Sequence, residues 1–318
     1  MNICVLGGSG FVGTELVTRL VLAGHWVRVP TRNAARALRL RVLDTAELRI
    51  ANIHDPTVLG QLFAGCDAVI NLVGILNPRA GASFQAVHAE LPAKVMAAAR
   101  AAGVRHVLHM SALGADERAP SQYLRSRAAG EAAVRAAAPP GALQQPAVTI
   151  FRPSVIFGPA DSLTNRFARL LSLTAGILPL ARARTRFAPV DVADVAEAFS
   201  RALSGRSSFG QTYELCGPEV MTLEEIVRLT ARVAGLACHI VPLPDLLARI
   251  QGLIMGLLPG KPFTLDNFRS LTVDSVCRQD GCARLGIQPR HMLAELPTYL
   301  GLDDRERQLA LLRRTADR

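Results

Sequence analysis

Tyr123 and Arg127 stand four residues apart in the segment Tyr123-Leu124-Arg125-Ser126-Arg127, and Ser111 precedes them at the end of an apolar run. Helical side chains at i and i+4 share a face, so a phenol and a fixed cation would stand together near a serine at a strand end. A cation beside a phenol favours the phenolate, and a serine hydroxyl can orient a carbonyl or hydroxyl by hydrogen bonding. The chemistry of this set is proton transfer at an oxygen, with Tyr123 as acid, Ser111 as orienter and Arg127 as electrostatic support.

A second set opens the chain, where Ile3-Cys4-Val5-Leu6 runs into Gly7-Gly8-Ser9-Gly10-Phe11-Val12-Gly13. Glycine at 7 permits a turn closed to side chains, Gly10 lets backbone N–H groups approach a phosphate, and Gly13 lets the next helix pack close to the strand. The helix starting near Phe11 aims unpaired N–H groups and its positive dipole end at the same place. Strand, GxxGxxG, a helical period through Leu16, Val17, Leu20 and Val21, and a second strand from Trp26 to Pro30 follow in the order that dinucleotide binding requires. The second strand ends in Thr31-Arg32-Asn33, with Arg36 beyond. An acidic residue there would accept from a ribose hydroxyl, whereas a guanidinium holds a 2′-phosphate with two parallel bonds. The expected cofactor is NADP(H), with NAD(H) the alternative.

The elements that position these sets alternate regularly. Strands are expected at 48–51, 66–74, 106–111 and 148–152, with helices over 84–102 and 121–138 between them. This is an α/β chain of the Rossmann type, a doubly wound parallel sheet with ligands at the carboxyl ends of its strands. Beyond Pro153 the pattern loosens. Helices at 162–172, 191–204 and 222–235 interleave with short strands near 187 and 211–216, and Asp191 and Asp194 are expected to cap the second of them. The expected organisation is a nucleotide-binding core over 1–155, sheet completion and a small C-terminal substrate or lid lobe over 156–301, and a charged tail over 302–318. Leu243 to Leu258 carries Leu246, Leu247, Ile250, Leu253, Ile254, Leu257 and Leu258 on one broad face, suited to a lid or to a docking surface.

Composition bounds the partners. The net charge is +10, but the 36 basic residues are spread along the chain and only Lys94 and Lys261 are lysines. That dispersal argues against nucleic acid and fits phosphate-bearing ligands. No uninterrupted apolar run reaches the roughly 18 residues a membrane span needs. The first strand begins at residue 2, so no leader segment is expected, and the expected place is the cytoplasm. The six cysteines include no CxxC pair and are expected as idle thiols, with no metal site. His106 and His109 fall three apart on a strand, on opposite faces, and Lys94 is expected in solvent.

These motifs carry a resemblance. Ser111 with Tyr123-x-x-x-Arg127 and GxxGxxG resembles the centre of extended and atypical short-chain dehydrogenases/reductases, although that superfamily has Lys where this chain has Arg127. Asn71-Leu72-Val73-Gly74, Tyr123 to Glu131, Arg152-Pro153-Ser154-x-x-Phe157-Gly158-Pro159 and Pro189-Val190-Asp191-Val192-x-Asp194-Val195-Ala196 are similar to the NAD(P)H-binding alpha-subcomplex accessory subunit family of respiratory complex I and its stand-alone bacterial relatives. The resemblance implies an NADPH held tightly in a fold derived from reductases, with weak or no turnover in the complex I subunit. By position Gly7, Ser9, Gly10, Phe11, Val12 and Gly13 would form the pyrophosphate cradle, Arg32 would meet the 2′-phosphate, and Asn52 and Ile53 would lie at the adenine. Val73 and Gly74 would flank the ribose side, and Tyr123 and Arg127 the nicotinamide ribose. The implied roles are an oxidoreductase or redox sensor acting on a small molecule near respiratory or quinone metabolism, while the apolar helix over 243–258, where it is not a lid, would meet a membrane surface or a respiratory complex. A non-catalytic NADPH-stabilised scaffold and a nucleotide-sugar epimerase or dehydratase are the alternatives.

Overall fold

Short apolar runs separated by helical stretches fold as the βαβ pattern requires. The computed structural model describes residues 1–78, 81–138, 146–258 and 261–300, with 309, 312 and 313; the rest of the charged tail and the Arg36 side chain lie outside the described residues. Asn2–Leu6 (β1), Trp26–Thr31 (β2), Ala46–Ile50 (β3), Ala68–Asn71 (β4), His106–Met110 (β5) and Ala147–Pro153 (β6) join Thr212–Leu215 in one sheet. Its order is Thr212–Leu215, β6, β5, β4, β1, β2, β3, and every pairing is parallel. Order reverses between β1 and β4, where Leu6 pairs with Asn71, so a ligand crevice opens beyond these two strand ends.

Burial on both faces explains why β1 reads as a continuous apolar run, with Ile3, Cys4, Val5 and Leu6 all buried. On one face, helices Pro56–Phe63 (α2) and Leu91–Ala101 (α3) bring Leu59, Phe63, Val95 and Met96 onto Val69, Val107 and Ile150. Helix Gln122–Ala136 (α4) adds Val134 to the same core. Elsewhere Phe199 of helix Val192–Leu203 packs on Phe151 of β6, ring centroids 4.0 Å apart. An Arg19–Glu197 ion pair ties that helix to Phe11–Leu22 (α1).

The chain divides into two compact units. The first is Met1–Pro153, Ala193–Leu215 and Gln279–Ile287, which holds the whole seven-stranded sheet. The second is Ser154–Val192, Cys216–Arg278 and Gln288–Arg318. Within the second, Ile177–Ala181 pairs with His239–Leu243, and Leu223–Val233 starts from a reciprocal cap in which Thr222 and Glu225 satisfy each other's backbone N–H groups. Phe157, Ile226, Leu229, Met292 and Leu296 form one of its cores. Asp191, expected as a helix cap, is fully buried 3.5 Å from the Arg290 guanidinium.

Two expectations need correction. Cys216 and Cys277 are not idle thiols but a disulfide, their Cα atoms 6.0 Å apart across 61 residues. Folding sets that pairing, and sequence spacing carries no sign of it; Cys4, Cys66 and Cys282 remain buried thiols. Lys94 is not simply solvated, because its ammonium donates to the His54 carbonyl at 3.1 Å.

β5 also buries two histidines. His106 Nε2 lies 2.8 Å from Thr149 Oγ1, whose own proton goes to the Ser208 carbonyl, so His106 is the donor. His109 Nδ1 accepts from Asn71 Nδ2 at 3.3 Å. Burial lowers His106 to about 4; burial and then the Arg127 charge lower His109 to about 3. Both are neutral in the fold and protonate in the unfolded chain near 6.5, so stability falls as pH drops below 6.5 toward the folded values. At pH 5 each should cost roughly 2 kcal/mol, read as a melting midpoint that declines from pH 7 to 5; a flat profile would contradict the buried neutral assignment. Reduction with dithiothreitol should also lower the midpoint, because loop-closure entropy for a loop of this size is worth roughly 4 kcal/mol. An identical midpoint in Cys216→Ser would remove the disulfide's structural role.

Candidate functional site

The glycine loop is shaped by contacts that side chains would block. Gly7 has φ +81°, and a Cβ there would lie 3.3 Å from the Leu72 carbonyl carbon. A Cβ on Gly13 would collide with the Gly7 carbonyl and stand 2.6 Å from Gly8 Cα, so α1 packs directly on the loop. Gly10 begins α1 with no side-chain cap and no acidic residue in the first turn. The N–H groups of that turn have no intrahelical acceptors, leaving an anion-binding end. The Ser9 hydroxyl lies 3.2 Å from Thr31 Oγ1, which donates to the Asn33 carbonyl, so Ser9 ties the loop to the end of β2.

Beyond β2, Arg32 is exposed. Asn33 caps the next turn by accepting from Ala35 N–H at 2.9 Å. His54 is held below its ordinary value by burial and then by the charges of Lys94 and Arg32, which places these cations around one corner. Asn52 Oδ1 accepts from His54 N–H at 3.1 Å, while Ile53 packs at the margin of the core.

The other side of the crevice is built on β4, β5 and α4. Asn71, whose amide donates to His109, accepts the Val73 N–H at 3.1 Å and so fixes the turn into Gly74. Ser121 caps α4 by accepting from Leu124 N–H, which sets the first turn that carries Tyr123. Arg127 is 6% exposed. Its guanidinium donates to the Met110 carbonyl at 3.1 Å, and its Cζ stands 5.4 Å from the Tyr123 ring centroid. It also lies over Gly74, where a Cβ would be 2.8 Å from Cζ. Arg127 Nε has no hydrogen-bond partner among the described residues.

Ser111 is buried, and its N–H donates to the Phe151 carbonyl at 2.7 Å. Its hydroxyl lies close enough to Glu131 to help lower that carboxyl, but meets no partner at bonding geometry among the described residues. Burial pushes Glu131 up, yet hydrogen bonds from Arg152, at 2.7 and 2.6 Å, and the Arg135 charge bring it below the usual carboxylate range. The structure therefore brings Tyr123 and Arg127 together with Gly74, and sets Ser111 beside Glu131.

Sequence spacing does not single out His88, which is buried among these groups. Its Nε2 accepts from Ile75 N–H at 3.0 Å, so Nδ1 carries the proton and donates to Ser126 Oγ at 2.8 Å. Ser126 in turn donates to the Tyr123 carbonyl at 2.7 Å. Its ring meets Tyr123 edge-on, centroids 5.7 Å apart. Burial, then Arg127 and His109, push His88 down to about 2, so it is a neutral strap between the Gly74–Ile75 turn and α4. Pro92 explains its setting. Lacking an N–H for the His88 carbonyl, it loosens the helix into a π-turn over Gln85–Glu90, and Gly130 approaches that carbonyl too closely for any Cβ. The available signal is a histidine between Val87 and Leu91 on a buried helical face.

The outcome is a buried cation with no bound carboxylate among the described residues, flanked by two neutral histidines. Such a site favours an anionic ligand or an oxygen that gains negative charge during reaction. The glycine cradle, the open helix end and the unpartnered Arg127 Nε fit a dinucleotide with a polar ribose.

Comparison with known proteins agrees. The NAD dependent epimerase/dehydratase family matches residues 3–216. NADH dehydrogenase (ubiquinone) 1 alpha subcomplex subunit 9, mitochondrial, of Arabidopsis thaliana is 31% identical over 288 residues, 86% of this chain and 70% of that one. Ceramide reductase of Caulobacter vibrioides is 31% identical over 247 residues, 76% of this chain and 74% of the relative. Among solved structures, the NADPH-dependent quinone oxidoreductase of Escherichia coli complexed with NADPH shares the fold with a TM-score of 0.72 at 17% identity, over 92% of this chain and 97% of that one. With its glycine cradle at the sheet's switch point and Tyr123 beside Arg127, the chain belongs to the NAD dependent epimerase/dehydratase family, as an atypical short-chain dehydrogenase/reductase similar to the complex I alpha-subcomplex subunit 9.

Proposed function

We propose that this protein is an NADP(H)-preferring reductase of carbonyl compounds, acting on a lipophilic ketone or a quinone. The observation that carries the reading is the Tyr123–Arg127 pair, its guanidinium buried over Gly74 at the end of β4. Gly7, Gly10, Phe11 and Val12 offer backbone N–H groups to the pyrophosphate, Arg32 takes the 2′-phosphate, and Val73, Gly74 and Arg127 face the nicotinamide ribose. The absence of an acidic residue at the end of β2 supports the 2′-phosphate. Names of relatives support a reductase of lipophilic molecules: one is a ceramide reductase, another a (4-alkanoyl-5-oxo-2,5-dihydrofuran-3-yl)methyl phosphate reductase.

A bound nicotinamide would supply hydride to the carbonyl carbon. The Tyr123 hydroxyl then gives its proton to the carbonyl oxygen, yielding an alcohol, and recovers a proton from solvent. Arg127 stabilises the phenolate left behind, and the buried Ser111 hydroxyl orients the oxygen. His88 holds the first turn of α4 in place through Ser126 and the Tyr123 carbonyl.

Nicotinamide fluorescence separates binding from turnover. NADPH should bind, and its signal should decay on addition of a long-chain ketone or a quinone; binding without decay on any acceptor would replace the reductase with a redox sensor or NADPH-stabilised scaffold. Tyr123→Phe should lower kcat at least ~100-fold, the usual scale of a lost general acid, while NADPH affinity stays near that of the parent. Unchanged turnover would exclude Tyr123 as the acid. Arg32→Glu should weaken NADPH by about 10-fold or more and leave NADH little affected, since it replaces a charge-assisted pair with repulsion; equal loss for both nucleotides would place the 2′-phosphate elsewhere.

A further inference from the structure

Helix Asp245–Leu257 in the second unit is mounted the wrong way round for a globular core. The only residues it buries are Ala248 and Gly252. Gly252 sits so close to the Thr264–Leu265 backbone that a Cβ would stand 3.0 Å from Leu265 N. Ala248 packs with Ala181 and Phe268. The helix therefore docks through a seam of small residues and turns its large aliphatic side chains outward. Leu246, Leu247, Ile250, Leu253, Ile254 and Leu257 are 70, 50, 43, 58, 60 and 88% exposed, and Leu258 after them is exposed too. Six long aliphatic side chains along about three turns form a patch that a protein surface does not present to water without a partner.

Cations gather around the seam through which this helix docks. Arg182 and Arg249 both lie against the Phe268 ring, at 5.4 and 5.7 Å. Arg166 donates to the Pro262 carbonyl at 2.9 Å, Arg269 is exposed, and Lys261 stands at the turn beyond the helix. Against these five cations the same region has two carboxylates, Asp266 and Asp245, and Asp245 is paired with Arg182. We infer that this face docks on an anionic phospholipid bilayer, with the aliphatic side chains among the upper acyl chains and the cations at the headgroups. A second copy of a chain of net charge +10 would bring like charges together around the face. The face also lacks the Tyr and Trp anchors of protein interfaces, whereas leucine and isoleucine suit acyl chains, which demand no directional contact. At 13 residues the helix would lie in the interface, and no described helix is long and apolar enough to cross a membrane.

Vesicle sedimentation of the full chain tests this independently of any reductase activity. The protein should sediment with vesicles of phosphatidylcholine and phosphatidylglycerol, less with phosphatidylcholine alone, and less again as salt screens the headgroups. Ile254→Asp combined with Leu257→Asp should weaken binding at least ~10-fold, as expected when apolar interfacial area is replaced by charge near anionic lipid. Both side chains are exposed, so the melting midpoint and NADPH titration should match the parent and report an intact fold. Failure to bind the mixed vesicles, or equal binding by the double variant, would overturn the proposal. So would a concentration-dependent doubling of mass in light scattering that the variant abolishes, since the partner would then be a second copy.

Discussion

A buried arginine without a carboxylate is the constraint around which this site is organised. Among the described residues Arg127 keeps its charge inside the protein with one backbone carbonyl as its hydrogen-bond partner, an arrangement that is costly unless surroundings or a ligand compensate. Its neighbours adjust accordingly. His88 and His109 are held neutral, partly by its charge, and Gly74 has no side chain to contest its position. Glu131, a buried acid four residues on in the same helix, is already claimed by Arg152 and Arg135. A carboxylate pairing with Arg127 would satisfy the cation permanently and close the site to ligand.

The sheet makes that cation useful. Leu6 pairs with Asn71 and Asn71 with His109, so the glycine loop, the turn into Gly74 and the strand beneath Arg127 end in one crevice. Gly7 approaches Leu72, and Gly74 two residues later approaches Arg127. Two close backbone contacts thus connect the glycine loop to the Tyr123–Arg127 side of the crevice, and both depend on missing side chains rather than on any strong bond.

Much of this was legible in sequence because local rules and tertiary packing agree. The span 121–138 anticipates Gln122–Ala136, and 222–235 anticipates Leu223–Val233, since caps and apolar period point the same way. The parallel sheet follows from strand and helix alternation. Residues 84–102 read as one helix, however, and resolve into a π-turn followed by α3, because Pro92 withdraws one hydrogen bond and only the neighbouring helix decides how the gap is used. His88 and the Cys216–Cys277 pairing stayed hidden for a related reason: their partners are distant in sequence and joined only by the fold. The reversed mounting of Asp245–Leu257 is also invisible to hydrophobic period, which reports that a broad apolar face exists but not whether it points inward.

The edge strand Thr212–Leu215 arrives late. Its neighbour β6 ends at Pro153, after which the chain spends 154–192 in the other unit before returning. During synthesis on a ribosome, β6 would therefore leave the exit tunnel as an open sheet margin with its hydrogen-bonding groups unmatched. About 60 further residues must emerge before its partner can pair, several seconds at ordinary elongation rates. Gln279–Ile287, which lays Gly281 against the Glu214 backbone, comes later still. The nucleotide-binding unit is thus completed only after residue 287 has been made, so a chain interrupted before that point would expose a sticky β margin rather than a working half.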